Sequence, residues 1–249
     1  MSGTYMKKVR HAFTSTLMVA GVVVGYAGLA KANDLDKGTT IAWAGVEARQ
    51  KNVSPYIGLN HYFTGDNFSD GFLMRLDGYY SNYEYNTTAV VGGKVNANAY
   101  AADALIGYQM ATEGAILRGM VGPEWANHNL SPANTPDKNN GSDIGVKVRA
   151  EIESDYSSAF YGDLVGSYGT AKDHYYGRAR AGYDFGGDIF GPEGSLEGNG
   201  QYQERRIGVF AQSYNFDPVY LSGSAGYSHM PSRSGGGSGY VTLEISTRF

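Results

Sequence analysis

Between Asp143 and Glu153 every second residue is apolar (Ile144, Val146, Val148, Ala150, Ile152), and Lys147, Arg149, Glu151 and Glu153 fill the alternate positions. A period of two is strand geometry, whereas a helix would mix the two sets on one surface. The end of the chain repeats the pattern, with Val241, Leu243, Ile245, Thr247 and Phe249 set against Tyr240, Thr242, Glu244, Ser246 and Arg248. A strand with one greasy and one charged face has two homes. It lies in a sandwich with the apolar face inward, or in a membrane barrel with the apolar face turned out to lipid.

Four features favour the barrel. The alternating segments run to about ten residues, enough for a tilted strand to cross a bilayer and longer than the usual sandwich strand. Aromatics stand near the segment ends at Trp43, Tyr80, Tyr108, Trp125, Tyr168, Tyr175, Tyr183 and Tyr227, where two interfacial girdles are expected. The chain closes on Phe249 at the end of a strand, as bacterial outer-membrane proteins do. Of 36 glycines, several fall inside the strands (Gly58, Gly78, Gly107, Gly119, Gly145, Gly166, Gly177, Gly226), which suits a strongly bent sheet.

The spacing predicts strands near 40–50, 55–64, 71–82, 98–110, 115–126, 142–153, 158–169, 174–185, 189–198, 203–214, 219–229 and 239–249. Twelve is an even count, as a single-chain bacterial barrel requires. It puts the three long connections, 87–97, 127–141 and 230–237, on one side, and tight turns on the other. The fold class expected is therefore an all-β, closed, antiparallel, transmembrane up-and-down barrel.

The first 32 residues read differently. Lys7, Lys8 and Arg10 precede an uncharged, mostly apolar run from Ala12 to Leu29, and Ala30-Lys31-Ala32 is an A-x-A cleavage site. We expect a secretory signal peptide cleaved after Ala32, leaving a barrel of residues 33–249 in the bacterial outer membrane. Its removal takes four basic residues and no acid, which moves the formal charge from −4 to −8. So acidic a chain is ill suited to nucleic acid, which demands a basic face. Beyond residue 33 no run of 18 apolar residues remains to form a membrane helix.

Catalytic and metal signatures are sparse. The chain has no cysteine, which excludes disulfides and thiolate chemistry. His61, His128, His174 and His229 are dispersed without metal-ligand spacing. No nucleophile elbow, phosphate loop or dinucleotide fingerprint occurs. His229 with Ser232 and Ser234 is the nearest thing to a hydrolase pair and lacks an orienting carboxylate, so no enzyme, cofactor or metal is expected.

The informative polar residues are those of the inward face. Projection gives Glu47, Arg75, Asp77, Asp103, Arg118, Glu124, Lys147, Arg149, Glu151, Asp163, Arg178, Arg180, Asp184, Glu193, Glu197, Arg206, Glu244 and Arg248 as lumen-lining charges. Near balance of sign permits internal ion pairing. Tyr56, Tyr62, Tyr79, Tyr161, Tyr220 and Tyr240 join them, either filling space or offering flat rings to a sugar.

Several segments resemble a known family in order and spacing: Gly71 to Tyr80 (GFLMRLDGYY), Ala104 to Gln109 (ALIGYQ), Leu130-Ser131-Pro132, Gly145-Val146-Lys147 with Glu151, Arg180 to Tyr183 (RAGY), Gly191-Pro192-Glu193 and Arg206-Ile207-Gly208. They are similar to the cellulose biosynthesis protein BcsS family over residues 71–249. The resemblance implies an outer-membrane barrel tied to bacterial cellulose production, with lipid, cellulose or another β-glucan, and other cellulose-synthesis components as partners. Export or surface display of the glucan is the expected role. The alternatives are a general small-solute porin and a lipid or glycan hydrolase.

Overall fold

A computed structural model describes residues 39–50, 52–86, 90–91, 93–132, 139–200, 202–216, 218–230 and 236–248. The expected signal peptide, Phe249, Ser232 and Ser234 lie outside them.

Twelve strands follow in chain order: β1 Thr40–Arg49, β2 Asn52–Tyr62, β3 Gly71–Asn86, β4 Lys94–Thr112, β5 Ala115–Ser131, β6 Gly141–Ser154, β7 Phe160–Gly169, β8 His174–Asp184, β9 Asp188–Gly198, β10 Gln203–Phe216, β11 Val219–His229 and β12 Gly237–Arg248. Each pairs antiparallel with its sequence neighbours, and β1 pairs with β12 from Ile41↔Arg248 to Arg49↔Tyr240, which closes the ring. Closure leaves no strand edge unpaired, the condition for a sheet to sit in hydrocarbon. Thr40 and Arg248 lie at the end carrying the β2–β3, β4–β5, β6–β7, β8–β9 and β10–β11 connections. By the usual orientation of such barrels that end is periplasmic.

Strands β3, β4 and β5 run on where the hydrophobic alternation predicts loops. Their 16, 19 and 17 residues raise a wall on the extracellular side. The outward positions there are Asn82, Asn96, Asn98, Asn127 and Asn129, which water tolerates as well as a loop does. The cross-strand ladder nevertheless continues, from Asn82↔Asn98 to Asn86↔Lys94 and from Asn98↔Asn129 to Asn96↔Ser131.

Across the span the outward side chains are apolar. Leu76, Ile106, Val121, Val148, Leu164, Val209 and Leu243 are exposed on the barrel wall, as a lipid-facing belt demands. Phe72 packs edge-on to Tyr108, and Phe160 to Tyr183, near the periplasmic rim. Tyr80 lies against Tyr100 near the other rim, with Trp125, Tyr168 and Tyr227 exposed at the same level.

Trp43 departs from the girdle expected for it. Its ring lies in the lumen beneath the Arg75 guanidinium, 4.5 Å from the centroid. On β1 it shares parity with Glu47 and Arg49, while Ala42, Ala44, Val46 and Ala48 take the outward places. Gly58 on the neighbouring strand makes room, since a Cβ there would collide with the indole.

Candidate functional site: the lumen

The lumen holds two cavities, about 610 Å³ toward the periplasm and about 640 Å³ toward the exterior. Trp43, Arg75, Arg149, Arg178, Arg180 and Glu244 line both and form the layer between them. The sequence-projected residues meet here in ion-paired groups.

The first group centres on Glu151. Its carboxylate accepts from Arg149 Nε at 2.6 Å, Arg75 Nη1 at 3.3 Å and Arg118 Nη1 at 3.4 Å. Arg75 also bonds Asp77 at 2.5 Å, and Arg118 bonds Glu153 at 2.8 Å. Beside it Lys147 donates to Asp103 at 2.5 Å. A second group joins Arg206 to Glu47, Glu197 and Glu204 at 2.5, 3.0 and 2.7 Å, with Arg49 bridging the same three acids. A third pairs Arg178 with Asp163 at 2.9 Å and Arg180 with Glu193 at 2.5 Å, with Tyr161 and Tyr240 donating to those acids. These networks cross from strand to strand and hold buried charge by mutual compensation, the arrangement that makes such burial tolerable.

Five projected residues are used otherwise. Glu124 accepts the Ala171 backbone N–H at 2.7 Å and ties down the β7–β8 turn. Asp184 accepts from the backbone of Gly186 and Gly187 and caps the β8–β9 turn. Glu244 accepts the Tyr56 hydroxyl at 3.0 Å. Tyr79 turns inward, yet 41% of its surface is open, because it borders the outer cavity. Arg248 stacks over Phe68 and Tyr220, at 5.3 and 5.6 Å.

Projection from sequence missed Arg49 and Glu204, although both lay within the predicted strands and share the parity of the projected Glu47 and Arg206. Of an apolar inner layer it named only Tyr62 and Tyr161. Tyr62, Leu73, Leu105 and Met120, with Ile41, form one buried cluster, and Tyr161, Ile189 and Phe210 form another. The signal was present: Leu73 and Leu105 each stand two residues from a lumen charge, Arg75 and Asp103, and so share its face.

These clusters and two inward loops shape the periplasmic cavity. From β2–β3, Asn67 is buried and Phe68 meets Tyr156 edge-on. Gln109, fully buried, donates to the Asp66 and Ser69 carbonyls and accepts from Arg118 Nε at 2.7 Å. From β6–β7, Tyr156 donates to Glu153 at 2.6 Å and bonds the Tyr214 hydroxyl. Burial above all, then the Glu153 charge, holds the Tyr156 phenol protonated well above its ordinary range.

An apolar outer belt between aromatic girdles, a closed ring of strands and a charged interior define an outer-membrane β-barrel. The model of one family, described as cellulose biosynthesis protein BcsS, matches residues 41–249, and the chain belongs to that family. Solved structures of similar architecture include the KdgM porin, with 8% identity over 84% of this chain and 99% of that one (TM-score 0.48). LpxR from Salmonella typhimurium is 14% identical over 84% and 100% (TM-score 0.48). The translocator domain of autotransporter NalP from Neisseria meningitidis is 13% identical over 96% and 99% (TM-score 0.46). Comparison with curated proteins finds no match.

Proposed function

We propose that this barrel supports the passage or surface retention of cellulose at the outer membrane, without catalysing a step of its synthesis. Membership of a cellulose biosynthesis family carries the reading. The lumen geometry refines it: the outer cavity is polar-aromatic, and the layer that includes Arg75, Arg149, Arg178 and Arg180 divides it from a periplasmic cavity of similar volume. Such a shape suits a receiving cup for glucan at the cell surface better than an open pipe. Secretion by residues 1–32, with cleavage after Ala32, belongs to the same proposal, as do contacts with other components of cellulose synthesis.

Deletion of the gene tests it. Inner-membrane glucan synthesis should continue while surface cellulose falls, and unchanged surface cellulose would refute the role. A general porin is disfavoured by the ion-paired layer around Glu151, and steady single-channel conductance in planar bilayers would restore it.

A further inference from the structure

The outer cavity has a character that the family does not specify. Its cations are already matched by acids: Arg206 and Arg49 by three carboxylates, Lys147 by Asp103, Arg178 by Asp163 and Arg180 by Glu193. Glu244 and Glu124 add carboxylates whose bonds are to a phenol and a backbone amide. Of the other lining cations, Arg75 and Arg149 are paired with Asp77 and Glu151 and only Lys172 has no acid partner among the described residues, so an anionic ligand would meet a surface whose surplus charge is negative.

The cavity does offer ring faces and hydroxyl partners. Tyr79 on β3 is the inward tyrosine with the most open surface. Tyr202 hangs from the β9–β10 connection on the opposite side of the ring. With Tyr79 and Tyr83 it lines the same outer cavity. Phenols from opposite walls thus border one space of about 640 Å³, which Arg49 and Glu197 also line. That volume falls within the range of small-molecule sites, where a few polar groups fix orientation and rings supply contact area. A pyranose has an apolar face for a tyrosine ring and equatorial hydroxyls for carboxylates and phenols.

We propose that the outer cavity binds a short stretch of neutral β-glucan, with Tyr79 and Tyr202 stacking on the sugar and Glu244 accepting hydroxyls from it. The proposal deepens the cellulose reading and rests on it for the identity of the sugar. Its matched cations and surplus carboxylates turn away uronate or phosphorylated glycans.

The test is a titration of the detergent-solubilised full-length barrel with cellohexaose. Calorimetry and tryptophan fluorescence, from Trp43 and Trp125 that both line the cavity, provide the readouts. Saturable binding is expected, weakened about five- to tenfold in Tyr79→Ala and in Tyr202→Ala and largely kept in Tyr79→Phe, the scale of a lost ring contact. Hexagalacturonate should bind at least tenfold more weakly. Tyr202 is a loop residue, so its variant keeps the test valid if Tyr79→Ala fails to fold. No binding of cellohexaose, equal binding of the uronate, or insensitivity to both alanine variants would overturn the site. The two readings fail separately: loss of surface cellulose on deletion without cellohexaose binding removes the site alone. Binding without any deletion phenotype removes the cellular role alone.

Discussion

Replacing Glu151 by Gln should unlock the middle of the barrel. The carboxylate serves three guanidiniums, but their dependence on it differs. Arg75 keeps Asp77 at 2.5 Å and Arg118 keeps Glu153 at 2.8 Å. Arg149 has Glu151, at 2.6 Å, as its one acidic partner among the described residues. A unit charge pair about 4 Å apart is worth about 4 kcal/mol at an effective dielectric near 20. Breaking a buried pair from one side costs about 3–5 kcal/mol. Arg149 borders both cavities and can recruit water, which brings the cost to the bottom of that range or just under it, about 2–3 kcal/mol, or about 30- to 150-fold in the folding equilibrium. Urea unfolding in lipid vesicles, followed by the gel-mobility shift of the heated form, measures it. The double variant Glu151→Gln/Arg149→Gln should recover at least half of the loss, because the stranded cation is gone. A Glu151→Gln cost below about 1 kcal/mol, or a double variant equal to the sum of its singles, would refute the account of the lumen as a charge-compensated layer.

Two further outcomes follow from the same geometry. Val148→Arg puts a cation on the lipid face in the middle of β6 and should destabilise the barrel by about 2–4 kcal/mol in the same assay, whereas the inward Arg149 one residue away belongs where it is. Gln109→Ala strands the Asp66 and Ser69 carbonyls and Arg118 Nε; a loss of about 2–3 kcal/mol is expected, with faster proteolysis after Phe68 from the periplasmic side.

Much of the architecture was legible because a membrane barrel imposes a strict rule on alternate residues. The run Ile144 to Glu153 has one admissible arrangement once lipid is outside, and its inward members Lys147, Arg149 and Glu151 meet acids or bases on neighbouring strands. The rule lapses where lipid ends. Asn96, Asn127 and Asn129 carry no greasy alternation, so the extracellular continuation of β4 and β5 read as loop. The rule also governs only the outer face. Trp43 is apolar enough for a girdle, and its parity with Glu47 is what sends it inward under Arg75. The lumen imposes no single polarity, so the packed Leu73, Leu105 and Ile189 follow from strand parity and not from hydropathy.

The absence of native cysteine allows a direct trial of the face assignment. Single cysteines placed in turn from Ile144 to Ile152, each carrying a polarity-sensitive fluorophore in reconstituted vesicles, should alternate. Positions 144, 146, 148, 150 and 152 should give blue-shifted emission quenched by brominated lipid, and 145, 147, 149 and 151 should be untouched by it. Quenching at the odd positions, or none with a period of two, would contradict a sheet whose oily side meets the bilayer.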